Sequence, residues 1–163
     1  MKIRDLITSK KCHGVFPKNA VAITFDDGFK SFYDLAWPLL RAYDIPASIF
    51  VVPDLVEKNL WLWPDRFSHL YHKGFKTFDN KGELHLLEEL KKKSTDEREE
   101  YLAKISKASA LSTSQELPET YKLMSWDMLR ELAGSNLIEI GSHTLTHPIL
   151  ANENSAISWN EIH

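Results

Sequence analysis

A chain of 163 residues, 43% hydrophobic and 26% charged, is long enough to bury a core as one soluble domain. Its 20 basic and 23 acidic side chains leave a formal charge of -3 with no basic block, which argues against a nucleic-acid partner, and a single cysteine, Cys12, excludes a disulfide framework or a cysteine-rich zinc finger. There is no run of about 18 apolar residues, and the N-terminal stretch MKIRDLITSKKCHGVFPKNA lacks a signal-peptide core, so the expectation is a cytoplasmic chain with no transmembrane segment.

In chain order, Ala20 to Phe25 (AVAITF) is a short apolar run of β-favouring residues stopped by Asp26-Asp27-Gly28, which predicts a buried strand ending at Asp26. Phe32, Leu35, Ala36, Leu39, Leu40 and Tyr43 then recur at three- and four-residue steps and predict one apolar helical face, with Pro38 placed to kink or restart the helix. Ala47 to Val52 (ASIFVV), bounded by Pro46 and Pro53, predicts a second strand. Strand, helix, strand in that order is a βαβ unit with parallel strands.

From Asp54 to Tyr121 no further strand-like run appears. Ten of the thirteen residues from Glu88 to Glu100 are charged, Ser94 with Glu97 forms a capping box, and Tyr101, Ile105 and Ala108 continue a helical stripe. This predicts a helical insertion, 54–121, with solvated faces. Within it His69 and His72 read as helix surface, and Trp61, Trp63 and Pro64 read as core in preference to an aromatic sugar platform. Ser125 is the expected N-cap of a helix running to Ala133 and ended by Gly134 or Asn136. Leu137 to Ile140 predicts a third strand, followed by Gly141-Ser142-His143, and Glu153 to His163 the beginning of another helix.

In parallel α/β folds functional groups gather at the C-terminal ends of strands. Two such ends carry unusual side chains. The first is T-F-D-D-G, Thr24 to Gly28, whose adjacent carboxylates repel each other unless a cation or a proton offsets them. The second is H-T-L-T-H, His143 to His147, with two imidazoles at a spacing suited to a metal pair. Each motif alone is ordinary: Asp-Gly is common turn punctuation, and two histidines four apart often bind nothing. Together they make a facial set of N and O ligands with open positions for water, which suits a catalytic metal better than a structural one.

These residues resemble the polysaccharide deacetylases, the chitooligosaccharide deacetylase homology family known as carbohydrate esterase family 4. The matching stretches are AVAITFDDG, IPASIFV and MSWDMLRELAGSNLIEIGSHTLTHPIL. The resemblance implies a distorted (β/α) barrel, a divalent metal, most often zinc, and an N-acetylated carbohydrate substrate. Carried over by residue, it implies that Asp27, His143 and His147 bind the metal and that Asp26 is the general base. Thr144 and Thr146 would hold the histidine loop by hydrogen bonds.

Two departures from the family pattern bear on the expectation. The segment 54–121 is far longer than a minimal member needs. The family's later motifs, an Arg motif, an Asp/Trp motif and a strand-end histidine resembling the general acid, are not found, and a whole barrel takes roughly 200 residues or more. The expectation is therefore a single deacetylase-like domain, 1–163, truncated at its C-terminus: a partial distorted barrel with a helical insertion, able to self-associate through an open sheet edge. Its expected activity is metal-dependent removal of N-acetyl groups from a carbohydrate. The alternatives are a catalytically silent metal-binding interaction module and a hydrolase of another non-peptide C–N bond.

Overall fold

The computed structural model describes residues 1–73, 82–108 and 118–163. The chain divides into two compact units, Met1–Leu60 with Glu119–His143, and Trp61–Pro118 with Thr144–His163.

The first unit is mixed α/β. Three strands, β1 (Ile23–Phe25), β2 (Ala47–Val51) and β3 (Ile138–Ser142), form a parallel sheet in the order β1-β2-β3. Ala47, Ile49 and Val51, which share one face of the central strand, are buried, and Phe50 on the other face is half-buried. Ser48 is buried as well, and its hydroxyl is satisfied: it accepts from the Ile3 N–H at 3.0 Å and donates to the Glu139 carboxylate at 2.9 Å. Those bonds, with Arg4 Nε on Glu139 at 3.1 Å, tether α1 (Ile3–His13), a helix without a buried residue that the apolar spacing did not announce.

Strand boundaries moved by a few residues. β1 begins at Ile23 instead of Ala20, and Val21 is exposed. β3 starts one residue later than expected and runs on through Gly141 and Ser142, so that His143 is the first residue past its end.

The helix after β1 is the larger correction. Phe32–Ala36 is a π-helical turn, closed by the Trp37 N–H on the Phe32 carbonyl, and α2 (Trp37–Ala42) follows with Pro38 in its first turn. Proline has no N–H to give the preceding turn, and the wide turn is where the chain accommodates that loss. It also breaks the three-and-four spacing. Phe32, Trp37 and Leu40 are buried, whereas Leu35, Leu39 and Tyr43, expected on the same core face, are exposed.

α3 (Pro53–Lys58) follows β2, and α7 (Trp126–Ala133) packs on β3 through buried Leu129 and Leu132. Ser125 caps α7 as its sequence position predicts, accepting from the Met128 N–H at 3.3 Å.

Among the described residues the second unit contains four α-helices, α4 (Trp63–Lys73), α5 (Glu83–Leu90), α6 (Thr95–Ala108) and α8 (Ser155–Ile162), with α4 packed against α5 and α6. Trp63, Phe67 and Leu70 of α4 meet Leu86 and Leu90 of α5 and Leu102 and Ile105 of α6 in one apolar cluster. Trp61 and Trp63 are both buried, in keeping with a core role. The capping box at α6 is present, with the Ser94 N–H on Glu97 at 2.9 Å and the Glu97 N–H on Ser94 Oγ at 3.3 Å.

Three expectations for this unit are revised. The buried stripe of α6 runs through Arg98, Leu102 and Ile105, while Ala108 is exposed and Tyr101 only half-buried. Arg98, assigned with the rest of the charge run to a solvated face, is 1% exposed. Its guanidinium carbon lies 4.5 Å from the centre of the Trp63 ring, and its nitrogens donate to Thr95 Oγ1 at 2.9 Å and the Lys93 carbonyl at 3.3 Å. Burial pulls its pKa down, and the nearby charges of Glu153 and Glu99 oppose that pull. Finally, His69 is half-buried, its ring edge-on to Trp61 at 4.9 Å, and burial lowers its pKa; His72 remains exposed, 3.0 Å from Glu83. Among the described residues no helix is long and apolar enough to cross a membrane.

Candidate metal centre

The loop after β1 turns sharply. Asp27 and Gly28 have φ of 71° and 81°, and the Gly28 N–H closes back on the Asp26 carbonyl at 2.9 Å. Aspartate tolerates the left-handed region better than most residues because its short polar side chain bonds locally. At Gly28 the requirement is stricter, since a Cβ there would stand 2.9 Å from Val51 Cγ1. The Gly28 carbonyl in turn accepts the Met124 N–H at 2.9 Å, tying the loop to the segment before α7. Gly28→Ala combines left-handed strain with a clash against β2, and we expect it to destabilise the first unit by about 2–4 kcal/mol, read as a lowered urea midpoint. A midpoint unchanged from the parent would show that the loop has another conformation open to it.

The loop after β3 begins at the same place in the sheet. The His143 N–H donates to the Val51 carbonyl at 2.7 Å, extending the β2–β3 pairing by one step. Thr144 and His147 then take φ of 63° and 64°. Among the described residues with positive φ other than glycine, these two are the ones that are neither Asn nor Asp. A β-branched threonine there is a genuine outlier, and strain of about 1–3 kcal/mol per residue persists only where surroundings over-determine it.

Polar contacts supply that constraint. Thr144 Oγ1 accepts the His147 N–H at 3.1 Å. Glu161, from α8, accepts the Leu145 N–H at 2.9 Å and the Thr146 N–H at 2.8 Å on one carboxylate oxygen and the Thr146 hydroxyl at 2.6 Å on the other. Sequence reasoning passed over Glu161, because no spacing rule marks a contact made across an irregular loop and most of a helix.

The outcome is a cluster of donors. Asp27, His143 and His147, all half-buried, each offer one ligand atom, and these atoms lie within 4.8 Å of one another. His143 Nε2 is 3.7 Å from Asp27 Oδ1. Ligand bonds of about 2.1 Å in tetrahedral geometry separate donor atoms by about 3.4 Å, so the Asp27–His143 separation is already close to what one centre requires. Two neutral imidazoles and a carboxylate suit a borderline cation such as zinc, and three protein ligands leave a position for water or substrate. Asp26 stands outside the donor set. It is exposed and lines a cavity of about 210 Å³ with Phe25, Phe29, Ser31, Phe32, Leu35 and Ala36.

A two-histidine, one-carboxylate set at the strand ends of a parallel α/β sheet has the composition of a mononuclear hydrolytic metal site. The chain belongs to the polysaccharide deacetylase family, whose model matches residues 13–163. It is 29% identical over 130 residues to a poly-beta-1,6-N-acetyl-D-glucosamine N-deacetylase of Staphylococcus aureus, a match covering 77% of this chain and 41% of that protein. To the protein of the same description from Staphylococcus epidermidis it is 26% identical over 133 residues, covering 77% and 46%. The chain thus spans less than half the length of these curated relatives. Among solved structures, a de-N-acetylase from Aggregatibacter actinomycetemcomitans superposes with a TM-score of 0.45 at 23% identity, over 88% of this chain and 37% of that one.

Proposed function

We propose that this chain carries the metal half of a polysaccharide N-deacetylase site and that its substrate is an N-acetylated carbohydrate polymer. The observation that carries the reading is the convergence of Asp27, His143 and His147 in a chain of this family. The relatives described as poly-beta-1,6-N-acetyl-D-glucosamine N-deacetylases make an N-acetylglucosamine polymer the first substrate to try. The same reading makes the three-stranded sheet part of a distorted barrel interrupted by the insertion 54–121.

In this assignment Asp27, His143 and His147 hold a divalent cation, with zinc favoured by the donor set. Such a cation polarises a carbonyl oxygen and acidifies water when bound. Asp26, outside the donor set but adjacent to it in sequence, accepts a proton from the attacking water. Hydrolysis breaks the acetamide C–N bond: the water oxygen goes to the acetyl carbon as acetate, and the proton taken by Asp26 is the one the departing amine requires. Two neighbouring carboxylates divide the work, because the one beside a cation stays ionised as a ligand while the other is left to exchange protons.

The test is amine release from N-acetylated glucosamine oligomers by the zinc-loaded chain, run beside Asp26→Asn. That variant is expected to keep its zinc and to lose at least about 100-fold in turnover, the lower range for a general base. Equal turnover in parent and variant would remove Asp26 from the role. Stoichiometric zinc with no amine released by the parent would favour the metal-binding interaction module.

A further inference from the structure

The strained loop between His143 and His147 is held from outside by a carboxylate of α8. Glu161, 15 and 16 positions further along the chain, spends both carboxylate oxygens on this loop, taking the Leu145 and Thr146 N–H groups on one and the Thr146 hydroxyl on the other. The helix that carries it is itself capped, since Asn154 Oδ1 accepts the Ile157 N–H at 2.9 Å. Without that carboxylate, two consecutive backbone donors of the loop would turn to water, and a constraint that helps hold Thr144 and His147 in the left-handed region would be lost.

We infer that Glu161 is a positioning residue for the metal site: it presets the loop so that the His147 imidazole faces the donors of Asp27 and His143 before any cation arrives. The inference rests on the metal-site reading above. A carboxylate suits the task better than an amide, because an ionised acceptor takes several short hydrogen bonds at once and each is stronger than its neutral counterpart. The bonds of Glu161 end on Leu145 and Thr146, the two residues before His147. Groups that orient metal ligands from behind in this way are typically worth 10- to 100-fold in metal affinity.

The experiment compares zinc affinity, by competition with a chromophoric chelator, and the visible spectrum of the cobalt(II)-loaded protein in the parent, Glu161→Ala, Glu161→Gln and Thr146→Val. Glu161→Ala should bind zinc about 10- to 100-fold more weakly, with an altered cobalt(II) spectrum. Glu161→Gln, which keeps an acceptor oxygen, should recover part of the loss, and Thr146→Val, which removes one bond and leaves α8 untouched, should show a smaller loss of the same kind. Melting of the metal-free proteins separates loop positioning from collapse of α8. If Glu161→Ala unfolds, Thr146→Val and Glu161→Gln decide the matter. Zinc affinity within twofold of the parent in the folded variants overturns the inference alone. A parent that takes up no zinc overturns the metal reading, and this inference with it.

Discussion

Replacing His143 and His147 together by alanine is expected to take zinc from near one ion per chain to a background level, with affinity reduced by at least about 1000-fold, because a single carboxylate is a poor site for a borderline cation. The reason lies in the geometry. Asp27, His143 and His147 are the cluster of three metal-ligating side chains found among the described residues, and removing both imidazoles leaves one oxygen donor. Neither substitution deletes a core side chain, since both histidines are half-buried. The measurement is elemental analysis of the purified proteins after zinc loading and desalting, with circular dichroism to confirm that the variant is folded. Zinc retained by the folded double variant would place the metal elsewhere and undo the assignment of all three ligands. A chelator should reproduce the phenotype in the parent, lowering its melting temperature toward that of the variant, because a cation that binds only the folded chain stabilises it by mass action.

The second large effect belongs to Arg98. Its replacement by alanine should destabilise the helical unit by about 2–4 kcal/mol, in the range for truncating a large buried side chain whose polar partners remain behind. Three contacts go at once: the guanidinium over the Trp63 ring, the bond to Thr95 Oγ1 and the bond to the Lys93 carbonyl. Thr95 also donates its N–H and its hydroxyl to Glu153, both at 2.7 Å, so the cation is the centre of a polar group that closes the start of α6 onto the segment before α8. Arg98→Met, which keeps much of the volume and the packing against Trp63, should cost less. Urea unfolding followed by tryptophan fluorescence distinguishes the two variants. Parent-like midpoints in both would mean that the buried cation contributes nothing net, the outcome known for some buried charges whose desolvation cancels their attraction.

The legible parts of this protein were those encoded over a short span. The run ASIFVV reports burial on both faces and became the central strand; Ser94 with Glu97, and Ser125, report helix starts, and both caps formed. The candidate donors Asp27, His143 and His147 stood out because Asp26-Asp27-Gly28 and His143 to His147 follow apolar runs directly, and parallel strands bring such ends to one edge of the sheet. What stayed hidden depends on contacts distant in sequence or on a change of helical pitch. Spacing rules assume 3.6 residues per turn, so the wide turn at Phe32–Ala36 sent Leu35, Leu39 and Tyr43 outward against expectation. A charge run looks uniform until a tryptophan on another helix selects one of its members, as Trp63 selects Arg98. α1 has no apolar stripe to announce it, because polar bonds to Ser48 and Glu139 hold it in place.

Val51 meets both loops that carry candidate ligands: its side chain leaves room at Gly28 for hydrogen only, and its carbonyl takes the N–H of His143. Two parts of a mechanism referenced to the same datum keep their spacing when the datum itself shifts, because the error is common to both and cancels in the difference. The end of the central strand plays that part for Asp27 and His143. Breathing of the sheet would carry the two together, and the separation between them is set by two short local linkages in place of the sum of many. A centre that has to accept bonds of about 2 Å from side chains far apart in sequence gains from such a common reference a tolerance that independent anchoring could not give it.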